Sequence, residues 1–138
     1  MKKKIIGYTQ GTFDTLHFGH IRLLKNAKKM CDYLIVGVNS DDLVREYKQT
    51  ETILKEDERK EIVSSIKYVD EASIVFSLNK VTQWNNFHFD FIFIGDDWKG
   101  NERWKNTEEE MKKLGVDVIY LPHTEGISTT LIKSKMKK

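Results

Sequence analysis

"IIGYTQGTFDTLHFGH", residues 5–20, runs from an apolar, β-leaning stretch straight into a glycine-bracketed turn that carries two histidines. A strand followed at once by such a turn and then by a helix is the opening unit of a parallel α/β sheet. The helix that follows is written in residues 20–30, where Ile21, Leu23, Leu24, Ala27 and Met30 recur near helical spacing. Four more strand-like runs extend the pattern: 33–38, 73–76, 91–94 and 117–121, after the first at 4–10. Most are unbroken apolar runs, as expected of strands covered on both faces. Amphipathic segments separate them at 57–67, with Asp57 placed to cap a helix, and at 106–114, with Gly115 as its stop. A short final helix is expected over 129–135. The pattern predicts one domain over 1–138, a Rossmann-like, doubly wound, five-stranded parallel sheet with right-handed crossovers.

The bulk numbers agree with a globular domain. The 138 residues are 39% hydrophobic and 32% charged, with a net charge of +2. So small an excess of Lys and Arg argues against nucleic acid as a partner. No run approaches the ~18 apolar residues of a membrane span, and the N-terminus has no long apolar leader stretch. A lone cysteine, Cys31, excludes an intrachain disulfide and fits a reducing compartment. The expectation is a cytoplasmic protein.

In open parallel sheets, ligands gather at the carboxyl ends of the strands. Four polar segments fall there: 11–20, 39–50, 95–100 ("GDDWKG") and 123–130 ("HTEGISTT"). In the first, Gly11 and Gly19 flank the turn, and His17 and His20 stand three residues apart on the first helical turn. A helix N-terminus with two imidazole donors suits a phosphate that gains charge in a transition state. The same pair also fits zinc ligation, a general base, or ordinary polar residues of a turn. Against zinc, the only cysteine lies in the helix and no further ligand cluster appears, so no metal-ligating residues are assigned. In the last segment, Ser128, Thr129 and Thr130 behind Gly126 exceed what a helix cap requires.

"GTFDTLHFGH", "GDDW" and "HTEGISTT", with "DYLIVGVNSDD" and "ERKEIVSSIKYVDE" between them, resemble the cytidylyltransferase family of the HxGH nucleotidyltransferase superfamily. Within it they are most similar to the bacterial enzymes that act on glycerol 3-phosphate. The resemblance implies transfer of CMP from CTP, with Mg²⁺, to a small phosphorylated acceptor. The products are pyrophosphate and a CDP-linked compound for a cell-envelope, teichoic acid or capsule polymer, and the enzyme is a homodimer. It implies that His17, His20 and Lys48 are catalytic. Thr12, Phe13, Phe18, Gly19 and Asp97 belong to the nucleotide site, with His123, Thr124, Glu125, Gly126, Ile127, Ser128, Thr129 and Thr130 clasping the nucleotide from the other side. Lys48, Arg59 and Lys80 meet the acceptor. Read alone, Lys48 is a solvated loop lysine, and Arg59 pairs with Glu56 or Asp57. Asp14 orients its loop rather than binding metal.

Two positions depart from the family pattern. His123 stands where arginine is usual, and Thr50 where a second lysine is expected. Histidine lacks the permanent charge and two-pronged grip of arginine. The acceptor is therefore open: glycerol 3-phosphate first, then phosphocholine, phosphoethanolamine or an N-phosphorylated amide such as glutamine phosphate. An ATP-using adenylyltransferase of the same superfamily is the remaining enzyme reading.

Overall fold

The computed structural model describes residues 4–96 and 99–122. Five strands, β1 (Ile6–Gly11), β2 (Tyr33–Asn39), β3 (Glu71–Val75), β4 (Phe91–Gly95) and β5 (Asp117–Leu121), form one sheet in the order β3-β2-β1-β4-β5. Every pairing is parallel. The order reverses between β1 and β4, which makes the carboxyl ends of those two strands the expected ligand crevice.

The unbroken apolar run of β2 has a simple cause. Leu34, Val36 and Val38 enter one core with Leu24 and Ala27 of helix α1 (Phe18–Lys29) and Val63 of helix α3 (Glu56–Ser64). Ile35 points the other way. It joins Tyr8 and Ile92 in a second core, beneath helix α5 (Glu102–Lys113), which brings Trp104 and Met111. Successive strand residues face opposite sides, so covering both faces leaves no polar position in the run. Gly37 is fixed by the same packing, because a Cβ there would collide with the Tyr8 hydroxyl.

Two helices were not expected. Helix α2 (Asp41–Lys48) occupies most of the segment read as a polar loop, capped by the Ser40 Oγ, which accepts from Leu43 N–H at 3.1 Å. Only Leu43 and Val44 of its eight residues are buried, too few to leave a periodic trace in the sequence. Helix α4 (Lys80–Phe87) follows an Asn79 cap. Other boundaries moved. The edge strand β3 ends before Phe76, which is 70% exposed, and α1 starts two residues early because His17 caps it. Helix α3 starts at Glu56, with the Glu58 carboxylate reaching back to Lys55 N–H, so Asp57 lies inside the first turn rather than at the cap. Gly115 (φ +78°) does stop α5. Its N–H donates to Lys112 O and that of Val116 to Met111 O, the paired bonds of a Schellman ending. Among the described residues no helix is long and apolar enough to cross a membrane.

Candidate active site

Beyond Gly11 the chain turns through Phe13, whose φ of 54° places a bulky residue in the left-handed region. The surrounding contacts hold it there. Its ring is 7% exposed, packs into the α1-side core, and meets the His20 ring edge-on at 5.5 Å. His17 then caps α1. Its Nδ1 accepts the Gly19 N–H at 3.0 Å, while His20 Nδ1 accepts the His17 N–H at 3.3 Å. This is a capping box built from two imidazoles. With both Nδ1 lone pairs occupied, the ring protons sit on Nε2, and each imidazole offers one Nε2–H donor. The two rings lie 4.1 Å apart. The cap also takes the Gly19 amide, which was expected beside phosphate.

Burial lowers the proton affinity of both rings. His20 is pushed down to about 4, by desolvation first and by the charge of His17 second. His17 moves the same way through desolvation. At neutral pH the pair therefore supplies directed donors rather than positive charge. A linkage follows. Below pH ~6.5 the unfolded chain takes up a proton that the folded chain refuses, so stability present above that pH is lost as pH falls toward 4. We expect up to about 3 kcal/mol of loss across this window. Urea melts between pH 7.5 and 4.5 measure it, and His20→Asn should flatten the slope.

Facing the histidines is the end of α2. Thr12, Phe13, His20, Val44 and Lys48 line a cleft of about 120 Å³, closed on the far side by Thr50–Thr52. Lys48, the last residue of α2 rather than a loop residue, is exposed, with its Nζ near the Tyr47 ring at 5.6 Å. Thr12, Phe13, His20 and Lys48 thus converge on one cleft, with His17 beside His20. Asp14 does orient a loop: its buried carboxylate accepts Ile53 N–H and Leu54 N–H, each at 2.8 Å at its shortest.

Arg59 and Lys80 lie elsewhere. The Arg59 side chain is fully buried and donates to Leu54 O, Thr12 O, Asn39 O and the Asp41 carboxylate. Its acid partner is Asp41, not Glu56 or Asp57, and it holds the cleft walls together from behind instead of presenting a cation to an acceptor. Lys80 opens α4 on the opposite face of the sheet, 8% exposed. Sequence reasoning missed the polar residues behind Thr12. Asn39 Nδ2 donates to Thr12 Oγ1 (3.3 Å) and Tyr47 Oη (3.1 Å), and Gln10 Nε2 donates to Asn39 Oδ1 (2.9 Å). Asn39 and Gln10 sit at strand ends, which was the available signal. Phe18 is 51% exposed at the start of α1. Asp97, Trp98, the segment His123 to Thr130 and the expected final helix lie outside the described residues.

Residues 8–135 match the family described as cytidylyltransferase-like. The chain belongs to the cytidylyltransferase family. The glycerol-3-phosphate cytidylyltransferase of Bacillus subtilis (strain 168) is 39% identical over 137 residues, covering 97% of each chain. The ethanolamine-phosphate cytidylyltransferase of Dictyostelium discoideum is 32% identical over 136 residues, covering 98% of this chain and 37% of that protein. A crystal structure of a lipopolysaccharide core biosynthesis protein from Thermoplasma volcanium GSS1 superposes with a TM-score of 0.74 at 30% identity, covering 88% of this chain and 98% of that one. Within this cytidylyltransferase, the paired histidines and the α2 lysine are therefore the residues to test first.

Proposed function

We propose that this enzyme transfers CMP from CTP to a small phosphorylated acceptor, glycerol 3-phosphate being the first to try. The observation that carries the reading is the imidazole pair, neutral and donor-only, set in the same cleft as Lys48. An acceptor phosphate oxygen attacks the α-phosphorus of CTP in line. The new P–O bond forms as the bond to the bridging α–β oxygen breaks, and pyrophosphate leaves. No covalent enzyme intermediate is needed. His17 and His20 direct Nε2–H donors at the triphosphate, and Lys48 neutralises the two anions that must approach each other. This is catalysis by positioning and preorganised charge.

The described residues hold no cluster of three His, Cys, Asp or Glu side chains suited to a metal. The cleft lining carries two carboxylates, Asp14, which accepts Ile53 and Leu54 N–H, and Glu51, which pairs with Arg45 at 3.6 Å. That donor set fits Mg²⁺ carried in on the triphosphate, which would screen its negative charge. Asp97 and the 123–130 segment complete the nucleotide site in this reading. The enzyme works as a cytoplasmic homodimer, and its CDP-linked product feeds an envelope, teichoic acid or capsule polymer.

Melting curves with CTP and with ATP, followed by pyrophosphate release from CTP, Mg²⁺ and a panel of phosphorylated acceptors, test the proposal. CTP at a hundred times its Kd should add about 2.7 kcal/mol of stability, and ATP much less. A larger shift with ATP would turn the reading to adenylyl transfer. Binding of CTP with no pyrophosphate from any acceptor would leave a nucleotide-binding module.

A further inference from the structure

Thr12 lines the cleft, and its hydroxyl ends a hydrogen-bond chain whose direction is set at the other end. The chain is anchored on Ser77 O, past the end of β3, a carbonyl that can only accept. Gln10 Nε2 donates to it at 3.0 Å, which fixes the Gln10 carboxamide, because a flipped amide would set oxygen against oxygen. The Tyr8 hydroxyl accordingly donates to Gln10 Oε1 at 2.8 Å. The second N–H of Gln10 Nε2 goes to Asn39 Oδ1 at 2.9 Å. Asn39 is 3% exposed, and with Oδ1 facing Gln10 its Nδ2 faces the other way. There its two N–H groups meet two hydroxyls, Thr12 Oγ1 at 3.3 Å and Tyr47 Oη at 3.1 Å.

Those hydroxyls also bond to each other, at 2.9 Å. Proton count decides the rest. Each oxygen accepts from Asn39, and the bond between them uses one of their two protons. Among the described residues neither hydroxyl has a further partner, so one O–H is left to donate outward. A phenol is a stronger acid than an aliphatic alcohol, which makes Tyr47 the better donor and Thr12 the better acceptor. Tyr47 therefore gives its proton to Thr12 Oγ1. The Thr12 proton is the one left over, and Thr12 is the member of the pair that lines the cleft. Bonds aligned in one direction along such a chain polarise one another and strengthen the last donor.

We propose that Asn39 and Tyr47 are positioning residues that aim the Thr12 hydroxyl proton at a phosphate oxygen of CTP. The proposal rests on the nucleotide-binding half of the nucleotidyl-transfer reading. Phosphate oxygens bring lone pairs and no protons, so this wall of the cleft must present a donor. A freely rotating threonine hydroxyl would have to be oriented by each incoming ligand. Held by Asn39 and Tyr47, it is set before the ligand arrives. Tyr47 directly precedes Lys48 at the end of α2, so one helical turn both carries the ammonium and orients the hydroxyl.

Isothermal titration of the intact protein with CTP and Mg²⁺, without acceptor, tests the relay through a double-mutant cycle. Tyr47→Phe should weaken CTP binding roughly three- to tenfold, the worth of one neutral hydrogen bond. Its urea midpoint should stay at the native value, because Tyr47 is 37% exposed. Thr12→Val should cost more, roughly ten- to a hundredfold, because it removes a bond to a charged oxygen. In the Thr12→Val background, Tyr47→Phe should then change the Kd by less than about twofold. A tyrosine that merely braced α2 would also displace Lys48, and its loss would multiply with that of Thr12→Val. Asn39→Asp reverses the chain: a carboxylate only accepts, so both hydroxyls turn their protons towards it and a lone pair faces the phosphate. Its CTP affinity should fall below that of Tyr47→Phe. The cycle between Tyr47 and Thr12 decides the matter even where Asn39→Asp does not fold. Native affinity in Tyr47→Phe, or losses that multiply in the double variant, overturns the proposal and leaves nucleotidyl transfer standing. A native protein that does not bind CTP brings down both.

Discussion

Arg59→Ala is expected to lower the unfolding free energy by about 3–5 kcal/mol, the cost of deleting one partner of a buried ion pair. In a chain of 138 residues that corresponds to a melting temperature roughly 10–20 °C lower. The size of the effect follows from what the guanidinium holds. It donates at 2.8 Å to Thr12 O in the β1–α1 turn, at 2.7 Å to Asn39 O at the end of β2, at 3.0 Å to Leu54 O in the segment after α2, and at 2.5 Å to the Asp41 carboxylate. Alanine strands all four acceptors, and Asn39 O lies in the interior where water does not replace the lost donor. Asp41 is itself part of a lattice, exchanging main-chain bonds with Glu56: its N–H donates to Glu56 Oε1 and its carboxylate accepts Glu56 N–H. Burial raises the Asp41 carboxyl, but hydrogen bonds, first that from Arg59, hold it below its ordinary value on balance. Its contribution is therefore present near neutrality and disappears as pH falls through that lowered value. Arg59→Lys should recover only a minor part, because one ammonium cannot fork to four acceptors in different directions. Urea denaturation followed by circular dichroism measures both variants. A loss below about 1 kcal/mol for Arg59→Ala would mean that the cleft walls are tied together by something other than this side chain.

The contrast between Arg59 and the strands shows where sequence reading works. Leu34 to Val38 announce a two-faced strand because every position is apolar, and no partner has to be known to see it. Helix α4 carries a readable signal, Asn79 as a cap with Val81, Trp84 and Phe87 three apart, but it is only eight residues long and includes Lys80, Thr82, Gln83, Asn85 and Asn86. Helix α2 had almost none, since its stability comes from the Ser40 cap and two buried residues. A buried arginine looks the same in the sequence as a surface one. Its partner lies 18 residues away, beyond any helical spacing, so only folding reveals the pair. The candidate site divides the same way. That His17, His20, Thr12 and Phe13 share a turn is local and was legible. That Lys48 faces them depends on α2, and that Asn39 and Tyr47 meet behind Thr12 depends on a strand end and a helix end brought together by the fold.

His17→Asn is expected to keep the fold and lose 10²–10³-fold in turnover, about 3–4 kcal/mol of transition-state stabilisation, if the imidazole does more than cap its helix. His17 has two jobs in one ring. Its Nδ1 accepts the Gly19 N–H, and its Nε2–H is the group offered to the triphosphate. Asparagine is among the best N-cap residues, so its carboxamide oxygen can take over the first task, holding stability within about 0.5 kcal/mol of the native protein. The shorter side chain cannot place a donor where Nε2–H stands, so the second task fails. His17→Ala removes both and should cost about 1 kcal/mol of stability in addition to the rate. Melting curves set beside pyrophosphate release at saturating CTP separate the two contributions. Were His17→Asn to turn over at the native rate while His17→Ala did not, the histidine would be a helix cap alone, and the triphosphate would have to be gripped by other groups.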